Sequence, residues 1–386
     1  MNNITKKIKI FSSIFLALTL FTAIITACSS PSDSGGAKME NYFVAVSKTY
    51  ITTNHLGGEH IEPGQVAYSR DGIKWDISME LSKGMSLGVV CYGDGKFVAL
   101  PEGETNNQIA YSANGVDWEW QDMPVKATWT SVCFGEGTFV AVGCIIDGVA
   151  KGKVVYSNDG IKWQEVQIDD GDWESVCYGK DGIFVAVSAG YKSAAYSTDK
   201  GKSWTNVTTG EWGYSVCYGN NKFIAMTKRS EIGLYSSDYG KSWTVDATLL
   251  PCCSGGPYWR VCYGNGMFVA VAENNGSIAF STEGDKNWDT KAIEAVVGGD
   301  AARDWQSVCY GDGTFVAVSA VNADPIAMYS TNGIDWKTTP IEKAHWKSVC
   351  YGKADTNKLQ LFASSKKKSN SLIASVMQWV NDKIVF

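Results

Sequence analysis

Apolar positions in this chain come in short runs broken by polar, glycine-bearing turns, and the order of runs and turns repeats. Residues 305–336 show one unit. Trp305-Gln306-Ser307-Val308-Cys309-Tyr310 is rich in β-formers, Gly311-Asp312-Gly313 supplies a tight turn in which glycine accepts positive φ, and Phe315-Val316-Ala317-Val318 is a second apolar run. After a variable stretch, residues 326–330 make a third run, and a segment beginning near Trp336 makes a fourth beyond the turn Thr331-Asn332-Gly333. The pattern predicts a four-stranded antiparallel meander. Strands apolar on both faces suit a sheet stacked between two others, which is how the blades of a propeller pack.

The unit recurs along the chain. An aromatic residue, a serine, a polar turn with glycine and a tryptophan follow one another at Trp75, Trp118, Trp163, Trp204, Trp243, Trp288 and Trp336, 39 to 48 residues apart. A period in this range marks a propeller or solenoid. First strands are read at Val90-Cys91-Tyr92, Ser131–Phe134, Ser175–Tyr178, Ser215–Tyr218, Val261-Cys262-Tyr263, Ser307–Tyr310 and Ser348–Tyr351. Seven turns and seven first strands predict an all-β, seven-bladed β-propeller of four-stranded antiparallel blades. The first unit opens directly on Phe43-Val44-Ala45-Val46 and lacks a first strand, so the spare strand at 348–351 is expected to complete it and close the ring. Leu361-Phe362-Ala363-Ser364, Ile373-Ala374-Ser375 and Trp379 read as a degenerate last repeat within 352–386, and eight blades is the alternative. The propeller is expected to span 39–386.

The first residues follow another pattern. Lys6, Lys7 and Lys9 precede an uncharged apolar stretch from Ile10 to Ile25, and Ile25-Thr26-Ala27-Cys28 resembles the bacterial lipoprotein box. The resemblance implies a signal peptide over 1–27, cleaved before Cys28, with a lipid on that sulfur. Small residues before Cys28 and the polar run from Ser29 to Gly36 favour processing over a spanning helix, and make 28–38 a flexible tether. The implied localisation is extracytoplasmic, lipid-anchored on a bacterial cell membrane or outer membrane.

The net charge of −6 becomes more negative once the three leader lysines are removed, and no basic patch with interleaved aromatics occurs. Nucleic acid is therefore not an expected partner, and the lipid is the only membrane contact the sequence offers. Of 11 cysteines, Cys28 is the lipid site, Cys144, Cys252 and Cys253 stand apart, and seven occupy one repeat position: Cys91, Cys133, Cys177, Cys217, Cys262, Cys309 and Cys350. Equivalent positions on neighbouring sheets lie about 10 Å apart, beyond disulfide reach, so these seven read as small buried apolar residues. Neither a CxxC pair nor a histidine accompanies them, the histidines being His55, His60 and His345, and no metal or other cofactor is expected.

The turn motif resembles the Asp-box, or bacterial neuraminidase repeat, Ser-x-Asp-x-Gly-x-x-Trp. Ser197, Asp199, Gly201 and Trp204 match it, as do Ser236, Asp238, Gly240 and Trp243. Ser69-Arg70-Asp71-Gly72 and Ser157-Asn158-Asp159-Gly160 begin turns one residue shorter, Asn114 and Asn332 replace Asp in two others, and Ser281-Thr282-Glu283-Gly284 is looser. The repeats also look like those of photosystem II assembly factors. The motif's chemistry is structural: hydroxyl and carboxylate bond the backbone of their own turn, and the tryptophan buries its face against the sheet. Sialidases of this resemblance carry three arginines that clamp a carboxylate and an Arg-Ile-Pro run. Here the arginines are Arg70, Arg229, Arg260 and Arg303, and no Arg-Ile-Pro occurs. Bidentate carboxylate binding needs that fork, so sialidase activity is not expected.

In a meander blade, the first-to-second and third-to-fourth turns share one face, and the second-to-third and inter-blade loops share the other. The loops at 47–65, 101–107, 144–152, 244–258 and 289–304 vary widely, and variable loops on a rigid scaffold carry function. That face receives the starts of the first strands, where Trp129, Trp173, Trp212, Trp259, Trp305 and Trp346 recur and Arg260 breaks the repeat, as Trp120 does elsewhere. These six tryptophans and Arg260 are the candidate ligand-binding residues, with packing between blades the competing role of the rings. The expected function is a monomeric, non-enzymatic binding or scaffold module for a protein or glycan of the cell envelope. A carbohydrate-active hydrolase is the alternative, using acidic loop residues among Asp169, Asp170, Asp172, Asp300 and Asp304.

Overall fold

The computed structural model describes residues 39–355, apart from 54–58, 83–84, 104–106, 148, 228–231, 248, 250–258, 274–275, 293–303 and 321–325. The leader, Cys28, the tether, the degenerate repeat beyond 355, Arg229, Cys252, Cys253, Asp300 and Arg303 lie outside the described residues. Seven four-stranded antiparallel sheets are present. In chain order blade 2 comprises Leu87–Gly93, Lys96–Pro101, Gln108–Ser112 and Glu119–Asp122. Blades 3 to 7 repeat this order, starting at Thr128–Gly135, Trp173–Tyr178, Gly213–Gly219, Trp259–Gly264 and Trp305–Gly311. Each first strand packs against the first strands on either side of it, and the contacts close into a circle of seven. These are the inner strands around the channel.

The ring closes between distant parts of the chain. The inner strand of blade 1 is His345–Asp355, paired antiparallel with Met39–Lys48, with Phe43 opposite Tyr351 and Val44 opposite Cys350. Gln65–Ser69 and Asp76–Glu80 complete that blade. Blade number is thus seven rather than eight, and two edges that would otherwise be open pair with each other.

Second strands are buried throughout: Phe97, Phe139, Phe184, Phe223, Phe268 and Phe315 are fully enclosed, each followed by an apolar triplet. Inter-blade layers form where these strands and the next blade's inner strand meet. The repeat cysteine of one blade packs against the inner-strand valine of the following blade, as Cys350 does with Val90 and Cys91 with Val132. Burial pushes the Cys177 thiol up to about 12 and raises the other six well above the ordinary thiol value, so these sulfurs stay protonated and act as small apolar groups. Glycines at the inner-strand ends seat the next blade's aromatic ring. A Cβ on Gly93 would fall 2.0 Å from Phe134 and one on Gly311 would fall 1.9 Å from Tyr351, so only glycine allows this spacing.

Two loops differ from expectation. Residues 144–152 are an extension of the blade-3 hairpin rather than an irregular loop, since Thr138–Asp147 and Val149–Ser157 pair as far as Asp147 opposite Val149. Within 47–65, Tyr50–Thr53 and Glu59–Glu62 form a separate two-stranded hairpin. Outer strands depart from the two-sided apolar pattern, Gln164–Val166 and Thr244–Asp246 being three residues long and largely exposed. They face solvent and have no further sheet edge to cover.

Candidate functional site

A ladder of serines lines the channel. The backbone N–H of Val90 donates to Ser348 Oγ (3.2 Å), Val176 to Ser131 (3.1 Å), Val216 to Ser175 (3.1 Å), Val261 to Ser215 (3.1 Å) and Val349 to Ser307 (3.2 Å). Each rung ties one inner strand to the next. At the two remaining junctions the serine position holds Val89 and Arg260, which offer no hydroxyl acceptor.

One residue above the ladder, six of the seven inner strands carry a β-bulge. The register shifts between Leu87 and Val89, Trp129 and Ser131, Trp173 and Ser175, Gly213 and Ser215, Trp305 and Ser307, and across Lys347 in blade 1. The extra residue opposes nothing on the second strand, and such a bulge re-aims its side chain. The six bulge residues are Gly88, Thr130, Glu174, Tyr214, Gln306 and Lys347. Blade 6 lacks the extra residue, so Trp259, Arg260 and Val261 pair in unbroken register and Arg260 stands in the serine's place. Positions on either side repeat as Trp, Ser, Val and Cys, whereas this ring holds a different residue in each of the six blades that have it. Repetition marks scaffold. Its breakdown at one ring marks a site.

A second ring lies beside it, at the residue after the second strand's partner to the tryptophan position: Lys48, Glu102, Cys144, Ala189, Glu273 and Ala320 in blades 1, 2, 3, 4, 6 and 7. The charged members of the two rings gather in two groups. In the first, Arg260 Nη2 donates to Glu174 Oε1 (3.2 Å) and to the Tyr214 hydroxyl (2.8 Å), and Nε donates to Glu273 Oε1 (3.3 Å). Tyr214 donates in turn to Glu273 (3.0 Å), and the guanidinium carbon lies 4.1 Å from the Tyr214 ring centre. Burial opposes the Arg260 charge, but Tyr214, Glu174 and Glu273 outweigh it and raise the guanidinium's pKa. Burial likewise pushes the Tyr214 hydroxyl up, so it remains a donor. One arginine thereby fastens blades 4, 5 and 6.

The second group is looser. Lys347 Nζ donates to Gln306 Oε1 (2.8 Å), but it stands 3.7 Å from Glu102 Oε1, and Lys48 Nζ stands 3.8 Å from the same oxygen. Next to this group, His345 pairs across from Lys48 and stacks on Tyr50 at 5.9 Å. Its burial, with Lys48 and Lys347 adding to it, lowers its pKa to about 4. A cavity of about 250 Å³ opens between the two groups, lined by Gly88, Glu102, Thr130, Glu174, Arg260 and Lys347 above the ladder serines. Its residues come from inner-strand starts and second-strand ends, so the mouth opens on the variable-loop face.

The tryptophans read from the sequence take two positions. Trp173, Trp259, Trp305 and Trp346 are 0% exposed and Trp129 is 2% exposed, packed in the inter-blade layers. The indole N–H of Trp173 donates to Asp169 O and that of Trp346 to Glu342 O, four residues back, so the linker wraps the ring. Trp212 is displaced. One extra residue puts Gly213 opposite Thr227, where other blades place the tryptophan, and leaves Trp212 partly exposed beneath Lys192 Nζ at 5.1 Å. Trp120 lies on the outer strand Glu119–Asp122, away from the mouth, half-buried against the layer between blades 1 and 2.

The acidic loop residues do not converge. Asp169 and Asp170 are exposed, Asp172 accepts from the Cys144 thiol (3.5 Å), and Asp304 accepts from Gln306 (2.8 Å); none of the four lines the cavity. No group of three or more His, Cys, Asp or Glu side chains suited to a metal occurs among the described residues.

The tryptophan-ended turns sit on the opposite face and bond to themselves. Ser197 Oγ accepts from Gly201 N (2.8 Å), Asp199 accepts from Lys202 N and Ser203 N (3.1 and 2.9 Å), and Trp204 Nε1 donates to Gly201 O (3.1 Å). Ser236, Asp238, Gly240 and Trp243 repeat this, with Gly240 N on Ser236, Ser242 N on Asp238 and Trp243 Nε1 on Gly240 O.

The bulge ring escaped sequence reading, although a signal was present. The residue after each inner-strand tryptophan differs from unit to unit among neighbours that recur, and only Arg260 stood out without knowledge of the pairing.

No protein-family model matches the chain, and no curated protein matches it in sequence. Among solved structures it is similar to a streptogramin B lyase (TM-score 0.57, 11% identity, covering 75% of this chain and 98% of that one). It is also similar to a virginiamycin B lyase from Staphylococcus aureus with quinupristin (0.55, 12%, 73% and 96%). A third similar structure is YCF48 bound to a D1 peptide (0.50, 12%, 67% and 82%). At these identities the likeness is one of fold.

Proposed function

We propose that the chain is a binding propeller, tethered outside the cytoplasm of a bacterium by a lipid on Cys28, that takes a protein segment at its channel mouth without chemical turnover. The observation that carries this reading is the ring of six different residues at one repeat position, joined by Arg260 from the serine position of blade 6, around a cavity of about 250 Å³ on the variable-loop face. Scaffold positions repeat because every blade has the same packing problem, whereas a ligand touches each blade differently. Charged and hydrogen-bonding groups dominate the mouth, and five of the six candidate tryptophans are enclosed in the blades. That favours a peptide over a glycan, which would need exposed ring faces for stacking. A propeller of similar fold has a peptide bound. The self-contained turns support assignment to Asp-box repeats with a purely structural role. The carboxylates Glu174 and Glu273 are engaged by Arg260, an arrangement suited to recognition rather than proton transfer. The protein is taken to act as a monomer.

Peptides selected from a random displayed library on the mature domain, followed by hydrogen-exchange footprinting, test this. Protection is expected at Thr130, Glu174 and Arg260, with binding lost in Thr130→Arg, which fills the cavity. Protection confined to the Gly311–Gly313 and Gly201–Trp204 turns would place binding on the other face and end the proposal. For the anchor, labelled lipid should be incorporated by the wild-type chain and not by Cys28→Ala.

A further inference from the structure

We infer that Lys48 and Lys347 form a seat for a ligand carboxylate, so that the bound segment presents an acidic side chain or a free chain end between blades 1 and 2. The inference rests on the channel mouth being the binding site and adds the chemistry that part of it selects.

The two charged groups at the mouth differ in kind. Around Arg260 the polar contacts are hydrogen bonds of 2.8 to 3.3 Å that link Arg260, Glu174, Tyr214 and Glu273 to one another. At Lys48 and Lys347 the ion-pair distances to Glu102 are 3.8 and 3.7 Å, outside hydrogen-bonding range. Both ammonium groups approach the same oxygen, Glu102 Oε1, so two cations share one anion. Gln306 Oε1 accepts a hydrogen bond from Lys347 Nζ and holds that side chain against the cavity wall (2.8 Å). The other donors of Lys347, and all those of Lys48, have no hydrogen bond among the described residues.

The surroundings keep the positive charge in excess. His345 is the strand partner of Lys48 and is neutral at physiological pH, its pKa being held at about 4 by burial and by the charges of Lys48 and Lys347. The lysines are 32% and 24% exposed, so their field at the mouth is screened less than that of fully solvated side chains. Space is provided as well. The cavity of about 250 Å³ is lined on this side by Gly88, Glu102 and Lys347, and Glu102 packs directly against Gly88, 3.2 Å from where a Cβ on that glycine would lie. Glu102 therefore occupies the ring beside the lysines, and the cavity continues from it. A ligand carboxylate entering there accepts hydrogen bonds from both ammonium groups and displaces Glu102 from a contact that is already long. Glu102 thus acts as a competitor for the seat.

That competition gives the test a signature which a merely structural role would not produce. The probes are acetylated, amidated Gly-Gly-Asp, its Gly-Gly-Asn counterpart, acetyl-Gly-Gly-Gly with a free carboxylate, and inorganic phosphate, each titrated by calorimetry into the mature domain at low salt. The Asp probe, the free-end probe or both should bind at millimolar concentration, and the comparison tells a side chain from a chain end. Lys48→Met and Lys347→Met should each weaken binding about tenfold, the usual worth of one charge-assisted hydrogen bond, while Glu102→Gln should tighten it about threefold. Equal binding of the Asp and Asn probes, tighter binding of phosphate than of either carboxylate, weaker binding in Glu102→Gln, or no carboxylate binding at all would overturn the seat. Library-selected peptides that protect the mouth but carry no carboxylate would leave the binding site standing and remove only this inference. Protection of the opposite face would remove both.

Discussion

The Asn114 side-chain amide donates to the Asp117 carboxylate at 3.0 Å, and Asn332 donates to Asp335 at the same distance, whereas in two other turns the polarity is reversed. There Ser203 donates to Asp199 and Ser242 to Asp238, both at 2.6 Å. A lysine holds the corresponding position beside Asp71 and Asp159, as Lys74 and Lys162, in turns of the same length as that of Asn114. The two positions are matched: an amide meets a carboxylate, a carboxylate meets a hydroxyl, and in the two remaining turns the aspartate is followed three residues later by a lysine rather than a second acid. Asn114→Asp should therefore cost about 1–2 kcal/mol at neutral pH, because it sets a second carboxylate against Asp117 in a buried turn. Asn114→Asp with Asp117→Lys reproduces the residue combination of Asp159 and Lys162. It should be more stable than the sum of the single changes by about 1 kcal/mol in a double-mutant denaturation cycle.

The tryptophans should separate just as clearly. Trp173 is fully enclosed and its indole N–H is satisfied by Asp169, so Trp173→Ala should cost about 3–5 kcal/mol through cavity formation. Trp212 occupies the same place in the repeat but lies on the rim under Lys192, and Trp212→Ala should cost about 1 kcal/mol or less. Urea denaturation of the two variants measures the difference. Equal costs would mean that the displacement caused by Gly213 has no energetic meaning.

Those two residues show how much of the molecule was legible in the sequence. Packing repeats because the same interface is built seven times, so the apolar period revealed the blades. The missing first strand beside Phe43 and the spare one at 348–351 revealed the closure. Spacing carried the rest less openly. Trp212 lies three residues before Ser215, while Trp173 lies two before Ser175, and that single step takes one ring out of the interface. The bulges were hidden for a different reason: a bulge is a property of the register between two strands, and neither strand shows it alone. The Lys48–Glu102–Lys347 group joins residues more than two hundred positions apart through the closure, which no local pattern encodes.

His345 predicts a pH response. Its pKa in the folded chain is about 4, against an ordinary 6.5, because burial and the neighbouring Lys48 and Lys347 disfavour the imidazolium. Between those values the unfolded chain binds the proton and the folded one does not, so stability rises with pH across that window and is lost as pH falls through it. A shift of this size corresponds to at most about 3 kcal/mol, and partial solvent screening brings the expected loss from pH 7 to pH 4 to about 1–2 kcal/mol. The turn carboxylates Asp71, Asp159, Asp199 and Asp238 act at lower pH. Burial opposes their ionisation, but hydrogen bonds from their own turns outweigh it and hold them below the usual carboxylate range. His345→Gln should flatten the stability profile between pH 4 and 6.5 and leave the acid limb below pH 4 intact. An unchanged slope between pH 4 and 6.5 would show that another group titrates there.

Arg260 joins three blades through one planar fork, and that geometry should matter more than its charge. Lysine at this position keeps the cation but has a single nitrogen, which cannot reach Glu174, Tyr214 and Glu273 from the directions the guanidinium uses. Arg260→Lys should cost about 2–3 kcal/mol, since two partly buried carboxylates lose charge-assisted bonds. Tyr214→Phe removes only the hydroxyl bridge and should cost about 1 kcal/mol. Because Tyr214 bonds both Arg260 and Glu273, the two changes share an interaction, and the double variant should be more stable than additivity predicts. Thermal and urea unfolding of the four proteins measure this. Additive losses would mean that the tyrosine and the arginine act separately, and that the hydrogen-bonded group on this side of the mouth is not a single preorganised unit.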